Sequence, residues 1–185
     1  LFVNLIGVTP KEWKEKGKDV QITYGFGETP FGEALIGFTD KGICYLGFID
    51  DNKTEIFNRF NELWENANLV HNEIAANEYL ENIFVKNKKY NLFVKGTNLQ
   101  VNVWKALLNL PNGIVATYQD IANYLDKPKA VRAIASAIGR NHVGYLIPCH
   151  RVIAKSGAMS GYRWGIERKK ILIAYESVKE NNQNQ

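Results

Sequence analysis

Apolar and polar residues alternate through the first half of the chain and change to a helical spacing in the second half. Between residues 19 and 49, short alternating runs are separated by turn signals such as Asp40-Lys41-Gly42, which predicts an antiparallel meander. Residues 53–64 and 74–84 place apolar side chains three and four positions apart, which predicts two acidic amphipathic helices packed on the sheet. Residues 90–94 predict one more strand.

Short helices dominate the pattern after Gly96. Pro111-Asn112-Gly113 ends the first of them, whose apolar side is formed by Val101, Val103, Trp104, Leu107 and Leu108. A second helix is predicted at 117–125 with Thr117 as its N-cap, and a tight connection leads to a third at 130–141. Two short helices joined in this way predict a helix-turn-helix, with a plain helical hairpin as the alternative.

The stretch from Lys127 to Lys170 is strongly basic, with ten Lys and Arg residues against one acid, Glu167. Because the whole chain carries +4, the balance of +9 in this stretch leaves −5 for the rest. Aromatic residues lie among the basic ones, which is typical of a nucleic-acid surface, although a solvated basic face is the alternative. The third helix is rich in Ala and Ser, and such small side chains predict close docking through shape and phosphate contacts.

Composition is that of an ordinary globular protein. With 185 residues, 45% of them hydrophobic, the chain can bury a sizeable core. No run of 18 or more apolar residues occurs, and the N-terminus lacks the pattern of a signal peptide. We therefore expect a cytoplasmic protein that makes no contact with a membrane.

Cys149 and His150 are adjacent, between Pro148 and Arg151, and form the strongest candidate for chemistry. Zinc needs four ligands at workable spacing, and two distant cysteines with three histidines make a metal site improbable. A disulfide to Cys44, 105 positions away, is not expected in a reducing compartment, and Cys44 lies in an apolar run typical of a buried thiol. Neighbours on an extended segment point to opposite sides, so His150 would activate Cys149 through a bridging water.

The hexapeptide Ile147-Pro148-Cys149-His150-Arg151-Val152 resembles the active-site signature of the O6-alkylguanine-DNA alkyltransferases, the methylated-DNA–protein-cysteine methyltransferases. Further motifs of that family follow in its order and spacing: Gln100, Val103-Trp104, Pro111-x-Gly113, Thr117-Tyr118, Lys129-Ala130-Val131-Arg132-Ala133, Asn141 and Ser160-Gly161-Tyr162-Arg163-Trp164-Gly165. The similarity covers about residues 19–176 and departs at Leu99, where the family commonly has Phe. It implies an α+β protein with a ribonuclease H-like antiparallel sheet and helices, then a mainly helical winged helix-turn-helix domain that carries the reactive Cys.

The resemblance implies one-time transfer of a methyl or small alkyl group from guanine O6, and from thymine O4, to Cys149, without a cofactor or a metal. In this scheme His150 is the water-linked base and Glu176 orients its imidazole. Tyr118 hydrogen-bonds the purine N3, and Asn141 pins the loop that carries the cysteine.

Double-stranded DNA is the implied partner of a monomeric protein. The nucleotide must be flipped out of the duplex, and Arg132 corresponds to the residue that fills the vacated stack. The implied DNA-contacting residues are Tyr118, Lys129, Arg132, Ala133, Ser136, Arg140 and Arg151. The implied base pocket is formed by Ile138, Val152, Tyr162 and Arg163, and the bulky run Tyr162-Arg163-Trp164 is expected to restrict the size of the alkyl group.

Residues 7–14 begin like a helix, with Thr9 as N-cap and Pro10 at the first helical position, and resemble the closing helix of AraC-type regulators. This points to the bacterial Ada-type branch, in which a regulator precedes the alkyltransferase. We expect residues 1–18 to be the tail of an upstream AraC-type domain, 19–96 an α/β scaffold, and 97–185 the DNA-binding and alkyl-acceptor domain. The alternatives are a lesion-binding protein without transfer activity and a purely regulatory DNA-binding domain.

Overall fold

A computed structural model of the chain describes residues 4–7, 17–159 and 161–183. The chain divides into two units, residues 1–96 and 97–185. Strands and helices occur in both units, so the mixed α+β class predicted from the sequence is confirmed.

The first unit is built on a six-stranded sheet with the order β1-β6-β4-β3-β2-β5. Its elements are β1 (Asn4–Gly7), β2 (Gln21–Gly27), β3 (Ala34–Thr39), β4 (Gly42–Phe48), α1 (Lys53–Leu63), β5 (Asn68–His71), α2 (Glu73–Phe84) and β6 (Asn91–Val94). Strands β2, β3 and β4 form the predicted antiparallel meander. The β1–β6, β4–β6 and β2–β5 pairs are parallel.

The sheet is therefore mixed, and the prediction of an antiparallel sheet is wrong at its edges. A parallel pair requires a crossover, and the chain between β4 and β6 supplies one that contains helices α1 and α2. The short runs Asn68–His71 and Asn4–Gly7 form β5 and β1, which were not predicted because four residues carry too little alternation to be recognised.

Helix α2 packs closely on β2 because two glycines of that strand leave room for it. A Cβ at Gly25 would lie 2.7 Å from the Cβ of Ala76, and one at Gly27 would lie 2.3 Å from the side-chain oxygen of Asn77. Strand β3 is buried along its whole length, as expected of a central strand covered on both faces.

Residues 4–7 differ from the expected tail of an upstream domain, since they pair with β6 from Asn4–Asn91 to Gly7–Val94. Backbone hydrogen bonds to β6 make these residues an edge strand of the first unit. The helix start predicted at Thr9 and Pro10 lies outside the described residues.

The second unit is mainly helical. It contains α3 (Asn98–Leu108), β7 (Ala116–Thr117), α4 (Tyr118–Tyr124), α5 (Val131–Gly139), a 3-10 turn (Cys149–Arg151), β8 (Val152–Ile153) and α6 (Ile166–Gln183). Thr117 caps α4 as predicted: its hydroxyl accepts from the backbone N–H of Asp120, whose side chain in turn accepts from the N–H of Thr117.

A short parallel pair, β7–β8, brings the start of α4 beside the reactive segment. Ala116 pairs with Val152 and Thr117 with Ile153, so the segment that leads into α4 runs alongside the two residues that follow the Cys149–Arg151 turn. Trp104 fastens α3 to α5 through a hydrogen bond of 3.0 Å from Nε1 to the carbonyl oxygen of Ala137. The pairing of two-residue strands was not predicted, because it depends on segments far apart in sequence.

Candidate active site

Cys149 is the first residue of the 3-10 turn and is 6% exposed. Its Sγ lies 3.1 Å from Nδ2 of Asn141, which follows α5 and is itself buried. The same amide donates to the carbonyl oxygens of Val143 (3.2 Å) and Ile147 (3.1 Å), and Oδ1 accepts from the N–H of Val143 at 2.9 Å. Asn141 thus joins the loop that precedes the cysteine to the sulfur atom.

His150 is fully buried and its Nε2 lies 2.9 Å from Oε1 of Glu176, on α6. An ionised carboxylate only accepts hydrogen bonds, so Nε2 carries the proton and Nδ1 of the neutral ring has a free lone pair. Nδ1 is buried and makes no hydrogen bond to any residue that the structure describes. Cys149 and His150 lie in a turn rather than on an extended segment, and no direct hydrogen bond joins them within the described residues.

Arg151 is buried, and its prediction as a DNA-contacting residue is wrong. Its guanidinium donates to both oxygens of Glu176, from Nε at 2.7 Å and from Nη2 at 2.9 Å. It also donates to the carbonyl oxygens of Leu110 (2.8 Å) and Pro111 (3.1 Å) and to Oδ1 of Asn112 (2.8 Å). Every nitrogen of the side chain is engaged inside the protein, and none remains for a phosphate.

The charges in this cluster favour a neutral thiol, a neutral imidazole and an ionised carboxylate before reaction. Burial raises the pKa of Cys149 to about 11, although the Asn141 hydrogen bond and the charges of Lys169 and Arg163 lower it. Burial lowers the pKa of His150, against the opposing effect of Glu176. Burial would raise the pKa of Glu176, but hydrogen bonds from His150 and Arg151 outweigh it and bring the pKa to about 2.

Lys169 is a member of this cluster that sequence reasoning missed, because it was counted with the basic surface. Its side chain is fully buried in α6, and Nζ lies 2.6 Å from the carbonyl oxygen of Val152. The available signal was helical phase: Lys169, Leu172 and Glu176 are spaced three and four apart and share one face of α6.

Two tyrosines flank the thiol. Burial and the neighbouring Cys149 raise the pKa of Tyr118, and its hydroxyl lies 3.2 Å from where a Cβ would stand at Gly161, a residue with φ +70°. Burial is the main cause that raises the pKa of Tyr162, and the charge of Cys149 raises it further. The Tyr162 hydroxyl is buried and has no hydrogen-bond partner in the described part of the chain.

The solvent face of α5 and the residues that flank this helix include most of the residues predicted to contact DNA, while the opposite face of α5 packs inward. Exposed residues on this helix and its flanks are Lys129, Arg132, Ala133, Ser136 and Arg140. Of the predicted base-pocket residues, Ile138, Val152 and Tyr162 are buried, whereas Arg163 is exposed. The Arg163 guanidinium donates to the carbonyl oxygen of Gly139 at 2.8 and 3.2 Å, which links the end of α5 to the 161–165 segment.

Within the described residues, neither the second thiol nor a metal cluster competes with this site. Cys44 is fully buried in β4, and burial raises its pKa. Among residues 4–7, 17–159 and 161–183, no three His, Cys, Asp or Glu side chains come together as metal ligands would. No helix in the described part of the chain is long and apolar enough to cross a membrane.

A buried cysteine next to a His–Glu pair, on a helical unit with a basic surface, defines the candidate site, and comparison with known proteins shows the family of the chain. Residues 98–178 match the family described as "6-O-methylguanine DNA methyltransferase, DNA binding domain". The inducible methylated-DNA–protein-cysteine methyltransferase of Bacillus subtilis is 37% identical over 147 residues, which cover 76% of this chain and 82% of that protein. The chain belongs to the methylated-DNA–protein-cysteine methyltransferase family.

Within the family, the bifunctional transcriptional activator/DNA repair enzyme Ada of Escherichia coli is 32% identical over 181 residues. That alignment covers 95% of this chain but 51% of Ada, so the chain spans about half the length of this relative. The O6-methylguanine methyltransferase of Mycobacterium tuberculosis has a similar structure, with a TM-score of 0.68 and 28% identity over 85% of this chain and 93% of that one.

Proposed function

We propose that this chain performs direct-reversal DNA repair by transferring a methyl or small alkyl group from O6 of guanine, and from O4 of thymine, to Sγ of Cys149. One observation carries the proposal. The buried thiol of Cys149 accepts a hydrogen bond from Asn141, and Nε2 of the adjacent His150 is hydrogen-bonded to Glu176. The relatives are named methylated-DNA–protein-cysteine methyltransferases, which supports the same reaction for this chain.

The thiol must first lose its proton, because the thiolate is the nucleophile and burial keeps the Cys149 thiol protonated. A bridging water carries the proton from Sγ to Nδ1 of His150, and the Glu176 carboxylate stabilises the imidazolium that forms. The thiolate attacks the alkyl carbon, the carbon–oxygen bond breaks, and its electron pair passes to guanine O6. Tyr118 supplies a hydrogen bond at the purine N3, which makes guanine a better leaving group. The thioether has no chemical route back, so each molecule acts once.

Helices α4 and α5 form the proposed DNA-binding element, a winged helix-turn-helix, and the first unit is ribonuclease H-like in this proposal. The exposed face of α5 docks on duplex DNA mainly through shape and phosphate contacts, and a solved complex of the M. tuberculosis relative with DNA supports this partner. The target nucleotide is flipped out, Arg132 fills the vacated stack, and the base enters a pocket formed by Ile138, Val152, Tyr162 and Arg163. The neighbouring Trp164 helps to restrict the pocket to small alkyl groups.

For the whole protein we propose an Ada-type arrangement, which the E. coli and Salmonella typhimurium relatives support. In it, an AraC-type regulatory domain precedes the alkyltransferase, residues 19–96 are a scaffold to which residues 4–7 add an edge strand instead of ending the regulatory domain, and residues 97–185 bind DNA and accept the alkyl group. The protein acts as a monomer in the cytoplasm, on DNA of the nucleoid.

One mass spectrum tests the transfer. After incubation with duplex DNA containing O6-methylguanine, the peptide that carries Cys149 should gain one methyl group, and Cys149→Ser should abolish the gain while DNA affinity stays nearly unchanged. An unmodified peptide with DNA still bound would show a lesion-binding or purely regulatory domain instead.

A further inference from the structure

We infer that the buried ammonium of Lys169 stabilises the Cys149 thiolate, a role that rests on the alkyl transfer proposed above. The Lys169 side chain is 0% exposed and contacts Val152 of the candidate site. Burying an ammonium ion is unfavourable unless nearby groups favour its charge. The interior around Lys169 must therefore contain groups that stabilise its positive charge.

Helical geometry shows what Lys169 is placed to do. Lys169 and Glu176 are seven positions apart on α6, almost two full turns, so both face the 149–152 segment. Glu176 accepts hydrogen bonds from His150 and Arg151, while Lys169 donates to the carbonyl oxygen of Val152 at 2.6 Å. One face of α6 thus places the negative charge of Glu176 against His150 and the positive charge of Lys169 against the 149–152 segment.

Val152 links the ammonium to the cysteine through a short path. The backbone N–H of Val152 donates to the carbonyl oxygen of Cys149 and closes the 3-10 turn. Its own carbonyl holds Nζ of Lys169. The turn is therefore anchored to the helix at Val152, and the ammonium is held on the residue that closes the Cys149 turn before substrate arrives.

The direction of the charge effects agrees with this placement. Burial lowers the pKa of Lys169 and raises the pKa of Cys149, and the attraction between the two charged groups opposes both shifts. Burial is also the main cause that lowers the pKa of His150, and the charge of Lys169 acts in the same direction, so the imidazole is neutral and able to accept a proton. Arg163 also lowers the thiol pKa, but its side chain is exposed, so solvent screens its charge more than that of Lys169.

The proton balance of the reaction is unchanged by this role. The thiol proton passes through water to His150, while Lys169 keeps its three protons throughout. After transfer the sulfur is a neutral thioether, and the ammonium has no sulfur charge left to stabilise. Lys169 is thus a positioning and electrostatic residue that acts on the step in which the thiolate forms and attacks.

The test compares Lys169→Met with Lys170→Met, which removes an equal charge from the exposed neighbour on the same helix. Thiolate formation is followed by ultraviolet absorbance against pH without DNA, with Cys149→Ser spectra subtracted to remove the contribution of Cys44. Lys169→Met should raise the Cys149 midpoint by about one pH unit and slow single-turnover methyl transfer at neutral pH about 10-fold. Lys170→Met should change neither quantity, and Lys169→Arg should restore part of the midpoint.

An unchanged midpoint in folded Lys169→Met would overturn the inference and leave Lys169 a structural residue. Because the titration needs no substrate, failure of the wild-type protein to accept a methyl group would count against the proposed function alone.

A second measurement does not require any Lys169 variant to fold. The Lys169 side chain is titrated by NMR of 13C-labelled lysine in the wild-type protein and in Cys149→Ser. Reciprocal coupling predicts a lower Lys169 midpoint in Cys149→Ser, since no thiolate forms there. Equal midpoints in the two proteins would contradict the inference.

Discussion

His150 and Glu176 lie 26 residues apart in the chain, yet their side chains meet in the protein interior at 2.9 Å between Nε2 and Oε1. This contact determines the tautomer of the imidazole and leaves Nδ1 as the nitrogen that can take up a proton.

Replacing Glu176 by Gln should therefore slow methyl transfer on the order of 100-fold, because a neutral amide neither fixes the tautomer nor stabilises the imidazolium. Single-turnover rates with an O6-methylguanine duplex measure the effect. Glu167→Gln, at the exposed start of the same helix, is the matched control and should keep the wild-type rate. Equal rates for both variants would remove Glu176 from the mechanism.

Acid should destabilise the protein through Glu176. Its folded-state pKa is about 2 against an ordinary value of 4.5, so its stabilising contribution is complete above pH 4.5 and is lost as the pH falls towards 2. Linkage puts this contribution at about 3 kcal/mol at most. Urea unfolding between pH 6 and pH 3 should show a steeper loss for the wild type than for Glu176→Gln, and parallel curves would contradict the assignment.

Arg151→Met should destabilise the protein without weakening its electrostatic attraction to DNA. Removing one partner of a buried ion pair leaves the Glu176 charge uncompensated, which costs about 3 to 5 kcal/mol in unfolding free energy. Lys129→Ala, on the exposed surface, should instead leave stability unchanged and lower the slope of log affinity against log salt by about one. If Arg151→Met lowers that slope as much as Lys129→Ala, Arg151 contacts phosphate despite its burial.

Asn141→Ala should both destabilise the protein and slow the reaction. The variant leaves the N–H of Val143 unpaired, at a cost of about 1 to 3 kcal/mol, while the carbonyls of Val143 and Ile147 keep their backbone partners. It also removes the hydrogen bond from Asn141 that favours the thiolate. Denaturant unfolding and the pH profile of transfer measure the two effects. Asn109→Ala, whose hydrogen bond to Tyr124 is exposed, is expected to change neither.

Arg132→Ala should slow repair of duplex DNA about 10-fold or more while leaving transfer from the free base O6-methylguanine unchanged. The reason is that only the duplex requires a flipped nucleotide, whose vacated stack Arg132 is proposed to fill. Arg140→Ala, which removes an exposed charge near the other end of α5, should weaken duplex binding without changing the maximal transfer rate. A loss on the free base as well would place Arg132 in the chemistry rather than in flipping.

The local sequence pattern predicted correctly those features of the fold that depend on residues a few positions apart. The alternating runs of residues 19–49 became the β2-β3-β4 meander, and Thr117 caps α4, because strand alternation and helix capping depend on residues a few positions apart. The family was likewise recognisable from the hexapeptide 147–152 and its accompanying motifs, and the comparisons confirm it.

The roles of the charged residues around Cys149 were a different matter. Arg151 and Lys169 read as surface cations in the sequence, and the structure buries both. Charge and hydropathy are properties of one residue, whereas burial of a cation depends on the acceptors that the fold brings to it, here Glu176 and the carbonyl oxygen of Val152.

The sequence by itself determined the β2-β3-β4 meander, helices α1 to α5, the Thr117 cap, Cys149 as the candidate nucleophile and the family to which the chain belongs. Only the tertiary structure decided the parallel edges of the sheet, the β7–β8 pair, and the division of cations between surface and site. The physical reason is that these features are contacts between segments distant in the chain, and their energies arise from burial and pairing that exist only once the chain has folded.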